Sequence, residues 1–187
     1  MPPKVKITKE DIIKTAVELV REHGADALNA RAVAAALDCS TQPIFSNFAT
    51  MDELRFAVIS AADKLCGEYI RREVESGKYP PYKASGMAYI RFAKEEKNLF
   101  SLLYMRDRSS ESEATEEDEL TVRMEDMVHG NTGLDGKSAE LFHLEMWAVV
   151  HGIASMLATG FVELDWELIS RMLTDTYLGL KKQYGVE

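Results

Sequence analysis

Two stretches of this chain carry residue types at spacings that could do chemistry. Glu140-x-x-His143 and Asp126-x-x-His129 each set a carboxylate and an imidazole three residues apart, the arrangement with which helical bundles hold a pair of iron ions. That chemistry needs two more bridging carboxylates from other helices, and a chain with 31 Asp and Glu produces such a pair by chance. No Ser-His-Asp order, P-loop or GxGxxG turn accompanies them, so neither an enzyme nor a cofactor is expected. The other stretch is NARAVAAALDCSTQPIFSNF, residues 29–48. Its order of residue types is that of two short helices joined by a tight turn, and the second of them has no Lys or Arg.

These residues need elements to hold them, and the composition says which kind. Over 187 residues the chain is 46% hydrophobic, enough for a real core, with only 5 Pro and 11 Gly. An all-α fold follows. Thr8 with Asp11 three residues on reads as a capped start of a first helix, with Ile12, Ile13, Ala16, Val17, Leu19 and Val20 at helical spacing and Gly24 as its stop. Asn29 caps a second helix, ARAVAAAL, and Asp38-Cys39-Ser40 breaks it. Ser40 or Thr41 caps a third, in which Pro43 falls in the first turn and Ile44 and Phe48 face inward. A long fourth helix runs from about 51 to 76 and ends at GKYPPY.

Beyond that break, YKASGMAYIRFAKEE and KNLFSLLYMRD read as two amphipathic helices. RSSESEATEEDE (108–119) reads as a solvated acidic loop running into a helix at about 119–129. Ser138 caps the next helix, and a last helix spans about 164–183. The picture is about nine helices and no sheet: a small head, residues 1–56, and a larger body, residues 57–187.

Charge and cysteines bound the partners. Net charge is −9, yet residues 1–56 hold 7 Lys/Arg against 8 Asp/Glu, so an anionic partner is met at the N-terminal end. Cys39 and Cys66 form neither a disulfide framework nor a zinc set, which suits a reducing cytoplasm. The N-terminus lacks a signal-peptide core, and 146–162 is interrupted by His151, Ser155 and Thr159, so no membrane span is expected.

In the penultimate helix, apolar residues cover most of the circumference, so it must be buried on two sides. One side faces its own core and the other a partner, with His151, Gly152 and Ser155 on it. The last helix offers Leu168, Met172, Leu173 and Thr176, and two helices from each subunit would build a four-helix dimer interface about a two-fold axis. Phe92, Phe100, Tyr104, Met105, Met124, Met127, Phe142, Met146 and Trp147 are aromatic and Met-rich positions able to line an adaptable small-molecule site.

Residues 8–58 resemble the DNA-binding head of the tetracycline-repressor (TetR) family of transcriptional regulators. The features that carry this are a capped first helix ending HGADAL, then NARAVAAAL, the turn DCS, PIFSNF, and the entry MDEL into a long helix. Arg31, Val33, Ala34, Ser40, Ile44, Phe48 and Leu54 match the family pattern at its own intervals. Asp38 stands at the usual turn Gly, Phe45 at the usual aromatic hydroxyl, Asn47 at a second phosphate-contacting ring and Met51 at a Lys. The body resembles a TetR-like C-terminal domain with a Trp-His-Gly signature, here Trp147, His151 and Gly152.

The resemblance implies a homodimeric repressor that binds a palindromic operator in double-stranded DNA and is released by an apolar or amphipathic small molecule. Thr41, Gln42, Pro43 and Ser46 lie where the family's helix meets base edges. There Gln42 can bridge adenine N6 and N7, while Pro43 and Phe45 meet thymine methyls. Arg31 resembles a base- or phosphate-contacting residue, and Asn29, Asn47, Lys4, Lys6 and Lys9 would hold the backbone. The competing expectation is a TetR-like dimer that has lost DNA binding.

Overall fold

The structure, a computed structural model, describes residues 7–106 and 126–186. Among these residues every regular element is helical, and no strand occurs. The chain divides into two compact units, one formed by the residues up to Gly67 with Glu96–Arg106, the other by Glu68–Glu95 with the residues from 126 onward.

In the first unit α1 spans Lys9–His23. Its start is a complete capping box: the Asp11 N–H donates to Thr8 Oγ1 (3.1 Å) and the Thr8 N–H to Asp11 Oδ2 (3.0 Å). The Thr8 N–H and then its hydroxyl, both donating to the Asp11 carboxylate, hold that carboxyl below its ordinary pKa. Ile12, Ala16 and Val20, four apart, make the buried stripe, and Gly24 ends the helix at φ 82°. A single 3-10 turn, Ala25–Ala27, leads to α2, Ala30–Ala36. Asn29 caps α2 by accepting from the Ala32 N–H (3.0 Å).

Asp38 follows at φ 49°, in the left-handed region that Gly enters without strain and Asp tolerates. That turn lets the Cys39 N–H reach back to Ala34 O (2.9 Å) and aims the chain into α3, Gln42–Asn47. The cap expected from Ser40 or Thr41 does not form. Thr41 already has helical dihedrals (φ −71°, ψ −10°), which turn its hydroxyl away from the first free amides, and no side chain caps this helix. Burial of Ile44 and Phe48 fixes α3 instead.

The long α4, Met51–Glu75, starts with Thr50 Oγ1 accepting from the Glu53 N–H (3.1 Å) while the Glu53 carboxylate accepts from the Ala49 N–H (2.7 Å). Leu54, Val58, Ala62 and Cys66 form its buried stripe, and burial pushes the Cys66 thiol up to about 12. α6, Lys97–Tyr104, completes this unit by packing on α1, with Leu99, Phe100, Leu102 and Leu103 buried. Two polar ties secure it: Arg21 Nε donates to Glu96 Oε2 (2.7 Å), and the Asn98 amide donates to Arg21 O (2.9 Å).

In the second unit α5, Pro81–Glu95, lies against α7, Gly136–Ala158, and α8, Trp166–Gln183. The three helices close up at Gly86, where an added Cβ would stand 3.3 Å from Val150 Cγ2 and 3.4 Å from Leu173 Cδ1. Asp165 caps α8 by accepting from the Leu168 N–H (2.7 Å). Two expected boundaries shift: α7 begins at Gly136 with Ser138 inside its first turn, and α8 begins two residues after 164. α7 is long and apolar enough to cross a membrane by length and composition alone, but it packs on α5 and α8. The acidic run 108–119 and most of the helix expected at 119–129 lie outside the described residues; 126–132 is helical.

Candidate nucleic-acid interface

α3 has six residues, too few to persist alone, so its neighbours decide which side faces out. With Ile44 and Phe48 buried, Gln42, Phe45 and Ser46 share the outer face, flanked by half-buried Pro43 and Thr41. Phe45 is 50% exposed.

Hydrogen bonding within the unit separates donors already used from donors still available. Ser46 Oγ donates to Gln42 O (2.8 Å), and Asn47 Nδ2 donates to Pro43 O (2.8 Å). Asn29 spends both ends of its amide, accepting from the Ala32 N–H and donating to Ala27 O (3.2 Å). Lys9 Nζ lies 3.5 Å from Glu53 Oε1 and 4.7 Å above the Phe48 ring. Of the residues singled out for DNA, Arg31 and Gln42 are exposed. Lys4 and Lys6 lie outside the described residues.

Sequence reasoning passed over Arg55, exposed on α4. It sits four residues after Met51, on the same face of the helix, and long helical side chains sweep back toward the N-terminus. Arg55 thus adds an exposed cation one helical turn after Met51, at the start of α4. The (i, i+4) interval was the available signal.

The second unit gathers some of the proposed small-molecule positions and not others. Phe142 and Met146 share a buried cluster with Val128 and Ala139, walled by Tyr82, Leu134, Tyr177, Leu180 and Tyr184. The Tyr177 and Tyr184 rings both stand 5.6 Å from Phe142, edge to face. Phe92 is fully buried against Tyr69, and Met127 is half-buried. Phe100, Tyr104 and exposed Met105 belong to the first unit, because α6 packs on α1, and Met124 lies outside the described residues.

Two of the body's histidines have tyrosine partners. His143 Nδ1 is 3.0 Å from Tyr82 Oη, and His151 Nδ1 is 2.9 Å from Tyr89 Oη. Burial lowers both imidazole pKa values and raises that of Tyr82. Glu140, three residues before His143, is exposed, and His129 pairs with Asp135 (2.7 Å). Tyr82, Tyr177 and Tyr184, which wall the cluster, gave no local sequence signal.

Trp147 stacks on His151 at a centroid distance of 4.8 Å and remains 41% exposed. It borders a stripe of α7 at Leu141, Leu144, Ala148, Gly152 and Ser155 that turns away from the core of its unit. On α8, Leu168 and Leu178 are exposed, and Met172 and Thr176 are half-buried. Leu173 differs: at 2% exposure it faces Gly86 inside its own chain.

Comparison with known proteins adds independent findings. Residues 12–58 match a family model described as bacterial regulatory proteins, tetR family, and residues 82–176 match one described as tetracyclin repressor-like, C-terminal domain. A TetR-like transcriptional regulator from Rhodococcus sp. RHA1 superposes with a TM-score of 0.67 at 17% identity, over 98% of this chain and 97% of that one. A member of the TetR family from Streptomyces coelicolor A3 gives 0.64 at 18% identity, over 90% and 96%. No curated protein sequence matches this chain.

Proposed function

Because the chain belongs to the TetR family of transcriptional regulators, we propose that it is a repressor whose homodimer binds a palindromic operator and lets go when a small molecule enters the body. The observation that carries this reading is the outward face of α3, where Gln42 and Phe45 are exposed on a helix held from behind by Ile44 and Phe48. A two-fold pair of such helices about 34 Å apart would read two half-sites.

Residues 1–56 would do the reading, with Gln42, Pro43, Phe45, Ser46 and Thr41 toward base edges. Arg31 and Arg55 would hold phosphates, joined by Lys4, Lys6 and Lys9. The exposed stripes of α7 and α8 would form the dimer, and the Phe142 cluster, with Tyr82 and His143 as its polar groups, would receive an apolar or amphipathic effector. A cytoplasmic location and no catalytic activity go with this role.

The test is a fluorescence titration of the purified dimer on DNA upstream of its own and neighbouring genes. Saturable binding of one fragment at low salt, weakened as salt rises, is the expected result. A folded dimer that retains no fragment would refute it. A second reading, a TetR-like interaction protein without DNA binding, draws on the internal engagement of Asn29, Ser46, Asn47 and Lys9, and that same outcome would favour it.

A further inference from the structure

The outer face of α3 has an unusual chemistry for a reading helix: no charge, one available amide and an open phenyl ring. Ser46 has turned its hydroxyl, and Asn47 one hydrogen of its amide, onto the carbonyls of Gln42 and Pro43, one turn back. Gln42 is left as the side chain of this face with amide hydrogens to offer. Phe45, three residues on and half-exposed, is held outward because its neighbours Ile44 and Phe48 are fully buried on the opposite side. Guanine is usually read by Arg or Lys through O6 and N7, and α3 has neither.

Resting on the DNA-reading role above, we propose that Phe45 reads the 5-methyl group of a pyrimidine, so that the protein accepts thymine or 5-methylcytosine and discriminates against uracil and cytosine at that position. A phenyl ring has no hydrogen-bonding group and so cannot tell the O4 of thymine from the N4 amine of cytosine. What it can sense is apolar surface withdrawn from water, and the C5-methyl is the apolar group that a base shows in the major groove. Gln42 would set an adjoining adenine. Cytosine methylation of a C-containing half-site would then strengthen binding, in contrast to readers in which an added methyl obstructs a hydrogen-bonding side chain.

Burying one methyl corresponds to about fourfold in affinity, and to on the order of tenfold when both half-sites change together. The full-length protein is used to select duplexes from a randomised pool, and the recovered site is remade with deoxyuridine, cytosine or 5-methylcytosine at each conserved thymine. The expected result is one position per half-site at which uracil weakens binding about fourfold, cytosine weakens it similarly, and 5-methylcytosine restores most of the loss.

Phe45→Ala should bind uracil and thymine duplexes alike, and Phe45→Leu should keep part of the difference; the wild-type comparison decides even where a variant misfolds. Wild-type protein indifferent to the methyl at every position, or a methyl effect undiminished in folded Phe45→Ala, overturns this inference while leaving the DNA-binding reading intact. If no duplex is recovered by folded protein at low salt, the DNA reading falls and takes this inference with it.

Discussion

The outward stripe of α7 gives a test of the dimer whose size follows from exposure alone. Leu144 is 56% exposed in the protomer and sits four residues before Ala148 and eight before Gly152, on the side where, in the proposed dimer, small residues would admit a second helix. Burial of the remaining half of a leucine in a dimer contributes about 1 kcal/mol, half of the 1.5–3 kcal/mol for a whole side chain. Leu144→Glu removes that term and places a carboxylate in an apolar seam, adding about 1–3 kcal/mol for a polar group without a partner. A two-fold interface contains the residue twice, so the change costs about 4–8 kcal/mol per dimer, a weakening of about a thousandfold or more. Sedimentation velocity over a concentration series reads this directly: wild type dimeric at micromolar protein, Leu144→Glu monomeric with an unchanged helical signal. A variant that dimerises as tightly as wild type would refute the assignment of this face.

Other perturbations address the head, the packing and the titrating groups. Arg55→Ala should weaken binding to all operators alike and lower the slope of log affinity against log salt by about one unit; a change in base preference without a change in slope would remove Arg55 from the backbone contacts. At Gly86, Ala should be nearly neutral, since about 1 kcal/mol of helix propensity offsets the crowding by Val150 and Leu173, whereas Val should cost about 2 kcal/mol or more in urea unfolding. The lowered pKa of His143 means the unfolded chain takes up the proton first. Its share of stability is therefore present above about pH 6.5 and is lost as pH falls below that value toward the folded pKa. The drop in thermal midpoint between pH 7.5 and 5.5 should shrink in His143→Gln; an identical drop would show that the imidazole does not carry it.

Much of the head is legible in the chain because its signals are local. Thr8 and Asp11, Asn29 and Asp38 each act within four residues, and each does in the structure what its type predicts. The side-chain cap missing at Thr41 and the helix start misread at Ser138 depend on the dihedral at which the chain enters, which residue type alone does not set. At the interface, Gln42 and Phe45 could be placed from the 3.6-residue period. The turning inward of Ser46 and Asn47 could not, because either side chain can face water or the carbonyl four residues back. The grouping of Phe100, Tyr104 and Met105 with the head is set by contacts spanning 75 and 77 residues, Arg21 with Glu96 and Asn98, far beyond any periodicity.

That same long-range packing bears on how such regulators can be recombined. Residues 82–176 match the C-terminal family model, yet α6 inside that range supplies Leu99, Phe100, Leu102 and Leu103 to the compact unit built on α1. A chimera that grafts this head onto a foreign body at residue 56 or 67 leaves the wall of α1 facing whatever α6 the recipient brings. Heads and bodies of this architecture are therefore exchangeable only with a matched α1–α6 pair, and the unit that evolution or a designer can transplant is discontinuous in the chain.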